Sequence, residues 1–350
     1  MRQRAGRWRT GRPFSVSWAA LTNLAGDPML RSSFALRPLA ASLCLLALGA
    51  LPAAAQQAAA PALRPAVIAP LASQSLILGA ARAGDRLVAV GERGHILLSD
   101  DNGKAWRQVP VPANAALTGV HFAGPKRGWA VGHDAVILHT EDGGESWKVQ
   151  HSDPELEQPL MDVLFAADGQ HGIAVGAYGL YLETADGGAT WNSRQISEDD
   201  FHFNAILAPT PETRLIAGEA GTLLYSADAG ATWTKLESPY DGSFFDALIL
   251  GPQSFLAYGL QGNILRSDDG GKSWTAIESN TTAGLMGGAV LADGSVVLVG
   301  AQGAVLTSGD GGRTFSTTKR ADRVALADAI QAPDGSLILL GEHGPIPARP

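Results

Sequence analysis

The sequence holds one cysteine in 350 residues, Cys44. It lies inside an apolar run, "LAASLCLLALGAL" (39–51), that follows Arg31 and Arg37 and ends in "PAAAQQ". A short apolar run between basic and small residues reads as a secretory signal peptide, too short to span a bilayer. Cleavage is expected after Ala55. Residues 1–28 are surplus to such a signal, which leaves Met1 and Met29 as alternative starts. A lipoprotein site needs a small residue before its cysteine, and Leu43 stands there. The exported chain therefore has no cysteine, which excludes disulfides, thiolate nucleophiles and cysteine metal sites. Its stability must come from its core.

Basic residues are also scarce. Residues 1–55 carry seven Arg and one Asp; beyond them 19 basic and 33 acidic side chains remain, a net of −14. Such a surface repels nucleic acid and anionic headgroups. Helical periodicity is missing too, since no segment keeps it for three turns. The eight histidines (95, 121, 133, 139, 151, 171, 202 and 343) form no metal-ligand spacing. "GKS" at 271–273 has Arg266 where a phosphate loop needs glycine. "DDNG" and "DDGG" lack the distant glutamate of a calcium loop. No cofactor and no metal are expected.

Glycine is plentiful, at 42 residues without a triplet period, which points to many tight turns. An eight-residue box recurs six times: "SDDNGKAW" from Ser99, "TEDGGESW" from Thr140, "TADGGATW" from Thr184, "SADAGATW" from Ser226, "SDDGGKSW" from Ser267 and "SGDGGRTF" from Ser308. The closing aromatics are spaced by 41, 44, 42, 41 and 41 residues. A glycine turn precedes each box, at Gly91, Gly132, Gly176, Gly218, Gly259 and Gly300, with a seventh at Gly341. Two markers in step define a unit of about 42 residues.

Within a unit the runs are short and β-forming: Leu117–Phe122, then 128–131, then 136–140, then a fourth from Trp147. Four short antiparallel strands per unit are the signature of a propeller blade. The expected fold is all-β: a seven-bladed β-propeller of four-stranded antiparallel blades. The seventh unit has strands at 326–331 and 336–340 but no outer strand. The segment "RPAVIAPL" (64–71) has no other partner, so it is expected to supply that strand and close the ring, removing two open edges. The domain plan is 1–55 extension and leader, 56–74 linker and closing strand, 75–350 propeller.

The box obeys turn physics. Its Ser or Thr hydroxyl and its Asp can accept from the turn's own N–H groups. Its Gly tolerates positive φ, and its aromatic folds beneath the turn. Asp101, Asp142, Asp186, Asp228, Asp269 and Asp310, with Trp106, Trp147, Trp191, Trp233, Trp274 and Phe315, are expected to be braces, not active sites. "S/T-x-D-x-G-x-S/T-W" after "GxxGxLxxT" resembles the Asp-box, or bacterial neuraminidase, repeat of the photosystem II stability/assembly factor family, over residues 75–345. That resemblance implies a non-enzymatic propeller in the periplasm or, in a phototroph, the thylakoid lumen. It also implies a membrane protein complex as client.

Strand alternation puts the box turns on one face, and the glycine turns and blade connections on the other. The partner-binding residues expected there are Glu92, Arg93, His133, Asp134, Tyr178, Phe201, Phe203, Glu219, Tyr240, Phe244, Gln261, Gln302 and His343. Asp162, Asn204, Asp246 and Asp328 recur at one offset near the start of the inner strands and are expected to cap the entering loops. No catalytic residue is expected. A sialidase needs an arginine cluster and a Tyr–Glu pair, and no Arg-Ile-Pro motif or late Tyr is present. The alternative is a carbohydrate-active Asp-box propeller, hydrolase or lectin.

Overall fold

The computed structural model describes residues 63–348. The expected leader and its cleavage point lie outside the described residues. Seven antiparallel sheets follow in chain order at 77–108, 117–151, 160–193, 203–235, 244–277, 285–319 and 326–347. Six have four strands in sequential order and the seventh has three. Single-turn 3-10 segments punctuate them, and no α-helix occurs among the described residues. The protein is the all-β seven-bladed propeller that its repeat implies.

The strand roles follow from where each lies in a blade. The second strands, such as Gly128–Gly132 and Val296–Gly300, are buried at every residue. They lie mid-blade with a neighbouring blade on both faces, so their sequences are apolar without alternation. The outermost strands, such as Asn192–Ser193 and Thr234–Lys235, are exposed and polar. The core is divided among the joints between blades. Trp129, Val131 and Ile137 meet Leu160, Val163 and Phe165 at the second joint. Each such side chain contributes roughly 1.5–3 kcal/mol through burial.

Ring closure differs from the expected arrangement. Residues 64–71 form no strand of the seventh blade. They run along the outer edge of the first, where Ala66 N donates to Val111 O at 2.9 Å and Gln108 bridges Ala69 N and Val67 O. The seventh blade takes its third strand from its own C-terminal side, Ile346–Pro347, paired with Ile338 and Leu339. A proline-rich pair suits that edge because its missing N–H faces no partner. Closure comes from side chains instead. Ile77, Leu87 and Leu97 of the first blade pack with Ile338 and Leu340 of the seventh, and the Asp328 carboxylate accepts from Ala80 N at 3.1 Å.

That last bond belongs to a wider device. All seven inner strands carry a bulge near their start. The residue after each bulge is Gly79, Gly119, Asp162, Ala205, Asp246, Gly287 or Asp328, and it lines the central channel. Asn204 is thus not in register with the three aspartates; it is the bulged residue one place earlier. Nor do the aspartates cap entering loops. Each accepts the N–H of its own next residue at 2.7 Å. The second oxygen of Asp162 or Asp328 accepts an N–H from the following blade, Ile206 or Ala80. Asn204 reaches on to Phe244 O of the fifth blade. Bulges free N–H groups from the ladder, and these side chains use them to clasp blade to blade.

Candidate functional site

The candidate face is built on the glycine turns. The first glycine of each turn crosses the start of its blade's inner strand: a Cβ on Gly132 would collide with the Ala116 carbonyl and the Leu117 Cα. Both obstacles are backbone, so neither can move aside. Gly132→Ala is therefore expected to lower stability by about 1–3 kcal/mol, measured as a shift in the urea midpoint. A shift below the error of the measurement would show that the strands separate freely.

The same crossing brings each turn against the connection entering its own blade. Ala177 N donates to Pro159 O and Glu219 N to His202 O, both at 2.9 Å. The middle of the turn then projects outward. Arg93, Asp134, Tyr178, Gln261 and Gln302 all sit at φ between 54 and 59°. Left-handed backbone is uncommon for such residues, and here six blades present a side chain on it, with Ala220 in the fourth.

The expected partner residues divide into three groups. Arg93, His133, Tyr178, Gln261, Gln302 and His343 are exposed. Glu92, Asp134, Phe201, Glu219 and Tyr240 are half-buried. Some of these do structural work: Glu92 accepts from Leu76 N and Glu219 from His202 N. Phe203 and Phe244 are corrections. At 1% and 0% exposure they open the inner strands of the fourth and fifth blades and fill their joints. Strand alternation puts each residue before the bulge inward, so neither can meet a partner.

The structure sets further residues beside these. Tyr178 is 56% exposed and stands edge-on to His202, with ring centroids 4.7 Å apart; Tyr178 N donates to His202 Nδ1. Leu260, beside Gln261, is 41% exposed, and its carbonyl accepts from Tyr240 Oη. Met161, Phe245 and Met286 line the channel, and Met286 is 42% exposed. Sequence reasoning missed Met161 and Met286 because they occupy the bulge, which no periodicity marks.

Deeper in the channel, burial raises the Asp162 carboxyl to about 6 and Asp246 to about 7, the latter also by the Asp162 charge. Asp328 reaches about 8 through burial and then the Asp246 charge. Raised carboxylates are what a general acid requires. Here their oxygens are engaged by N–H groups and, for Asp246, by Tyr258 Oη at 2.6 Å. No cluster of three metal-ligating side chains occurs among the described residues.

On the opposite face the boxes form as expected. In the fourth blade Gly230 N donates to Ser226 Oγ, Thr232 N to Asp228 Oδ1 and Thr232 Oγ1 to Asp228 Oδ2, all within 2.6–2.8 Å. The indole N–H of Trp106, Trp147 and Trp274 donates to a box glycine carbonyl. Trp147 and Phe315 are buried; Trp106, Trp191, Trp233 and Trp274 are half-buried.

Blade count, bulged inner strands and boxes define the class: a seven-bladed Asp-box β-propeller. A family described as "Photosynthesis system II assembly factor YCF48" matches residues 98–158 and 150–297. The chain belongs to that family. Over 73 residues it is 36% identical to the chloroplastic photosystem II stability/assembly factor HCF136 of Cyanidioschyzon merolae, covering 19% of this chain and 17% of that one. Over 99 residues it is 35% identical to the photosystem II assembly protein Ycf48 of a Synechococcus strain, covering 27% and 25%. These alignments span a quarter or less of the curated relatives' length. Among solved structures, "YCF48 bound to D1 peptide" superposes with a TM-score of 0.63 at 20% identity, over 81% of this chain and 95% of that one. The WD40 propeller of Doa1 gives 0.63 at 12% identity, over 82% and 97%. Such likenesses show the fold alone. No helix among the described residues is long and apolar enough to cross a membrane.

Proposed function

We propose that this chain is an exported, non-catalytic scaffold that binds a protein client on its glycine-turn face and helps a membrane protein complex to assemble or persist. The supporting observation is the exposure of Tyr178, Leu260 and Met286 on turns and at a channel mouth of one face. Exposed aromatic and aliphatic groups held by a rigid scaffold are what a partner surface needs. Family membership supports the assembly role. The relative solved with a D1 peptide supports a peptide segment of a membrane protein as the client. The leader expected from the apolar run 39–51 supports an encounter at the periplasmic face, or in the thylakoid lumen of a phototroph.

The carbohydrate-active reading has the raised channel aspartates in its favour. Their occupied oxygens weigh against it, since a catalytic acid must present its proton to a substrate.

The test is cross-linking in living cells, with a tag at the C-terminus and identification of what co-purifies. A defined membrane protein is expected, and Tyr178→Ser with Leu260→Ser should reduce its recovery about tenfold or more without changing the melting temperature. Recovery of glycans or cell-wall fragments without a protein would sink the scaffold reading, and undiminished capture by the double variant would move the site elsewhere.

A further inference from the structure

The joint between the third and fourth blades departs from the repeat at three positions. In the second strand, the residue paired with the first Ser or Thr of the box is Leu87, Gly128, Gly172, Phe255 or Val296 in five blades. In the fourth blade it is Arg214, paired with Ser226. At the start of the third strand and the end of the fourth, the first, fourth and fifth blades pair Ile96 with Val109, Leu223 with Leu236 and Ile264 with Ile277, and the second and sixth pair Ile137 with His151 and Val305 with Thr318. In the third blade the same bond joins Tyr181 to Arg194. A phenol and two guanidinium groups thus meet at one joint, all lining one cavity of about 560 Å³.

The two arginines are not equivalent. Arg194 pairs with Glu183 at 2.9 Å, lies over the Tyr181 ring and donates to Ala231 O and Gly230 O. Arg214 is 5% exposed and has no carboxylate within ion-pair distance among the described residues. Its Nη1 donates to the carbonyls of Thr210, Pro211 and Thr213. Its Nε and Nη2 have no hydrogen-bond partner among the described residues. Burial depresses its pKa, outweighing the attraction of Tyr181 and of the more distant Glu212. The other buried arginine, Arg266, shows the usual solution: both of its remaining nitrogens bind Asp268. Leaving one charge of a buried site unpaired is costly, and here the free edge is the one that binds a carboxylate in two-pronged fashion.

We propose that this cavity binds a small organic carboxylate, its head group on the Nε–Nη2 edge of Arg214 and its apolar part against Leu164 and Ile173. The volume is that of a small-ligand site. Geometry, not net charge, selects the carboxylate: Glu183 pairs with Arg194, and the oxygens of Asp228, also on the wall, are held by Ser226 and Thr232, so the two-pronged edge of Arg214 is left open to an anion. The cavity lies on the box side of the ring, opposite the glycine turns, and is independent of the client reading.

The test is calorimetric titration of the exported chain with benzoate and butyrate, with inorganic phosphate as the second arm. Saturable one-to-one binding of at least one carboxylate is expected. Arg214→Leu places there the residue that the first blade carries, Leu87, so it should still fold and bind about 10–100-fold more weakly. Arg214→Lys keeps the charge without the two-pronged edge and should fall between. A ligand bound equally by Arg214→Leu overturns the site, as does no saturation by either carboxylate. Saturation by phosphate alone overturns the chemical class. A lower melting temperature in both variants, with binding intact, would make Arg214 a structural brace.

Discussion

Trp147→Ala is expected to cost about 3–5 kcal/mol, a large share of the margin of an ordinary domain. The ring is 6% exposed, and its N–H donates to Gly144 O at 2.9 Å. It meets Phe122 edge-on at 6.2 Å and packs in one cluster with Val88 and Leu98 of the preceding blade. Its loss therefore opens a joint and frees the turn above it. A urea titration should show the midpoint falling with the slope unchanged. Trp191→Ala should cost less, because that ring is half-buried and its N–H has no partner. Equal losses, or a loss under about 1 kcal/mol at Trp147, would mean that the boxes brace nothing across the joint.

Acidity should produce an effect of similar size. Asp162, Asp246 and Asp328 have folded pKa values of about 6, 7 and 8, above the ordinary carboxylate. Between the unfolded value and those values the folded chain holds protons that the unfolded chain releases. Stability therefore falls as pH rises across that window and levels off above about 8. The box aspartates act in the opposite sense. The Thr190 N–H holds Asp186 near about 2, and the hydroxyls of Thr232 and Ser273 do the same for Asp228 and Asp269. Their contribution is present above the ordinary carboxylate value and is lost as pH falls toward 2. The maximum should lie near pH 4–5, with the melting temperature falling by roughly 5–10 °C between pH 5 and 8. Asp328→Asn keeps the acceptor for Ala329 N but not the one for Ala80 N. It should melt lower than the native chain at pH 5 and show a shallower fall toward pH 8. A native melting temperature that is flat or rising over this range would refute the account.

These two effects also mark what the sequence discloses. The boxes are local: Ser226, Asp228, Gly230 and Trp233 are neighbours in the chain, so their geometry is written in their spacing. Blade number and strand order follow from the same period. The channel was half legible. Asp162, Asp246 and Asp328 recur visibly, but register depends on the bulge, which moved Asn204 out of their row and turned a capping role into a clasp between blades. Ring closure was not legible, because "RPAVIAPL" suits either of two edges and only packing chooses. Phe203 and Phe244 stand among the expected partner residues, yet an inner strand begins at each. The cavity beside Arg214 was invisible for another reason. Arg194 and Arg214 are ordinary residues individually, and their oddity appears only when six blades are laid in register.

The seam between the seventh and first blades has a historical consequence. Among the described residues no strand crosses it, so every blade is one unbroken stretch of the chain. A recombination event that copies or deletes a single 42-residue unit would thus leave no orphaned strand on either side. The design is therefore modular: a change in blade number by whole units would break no strand pairing across the seam.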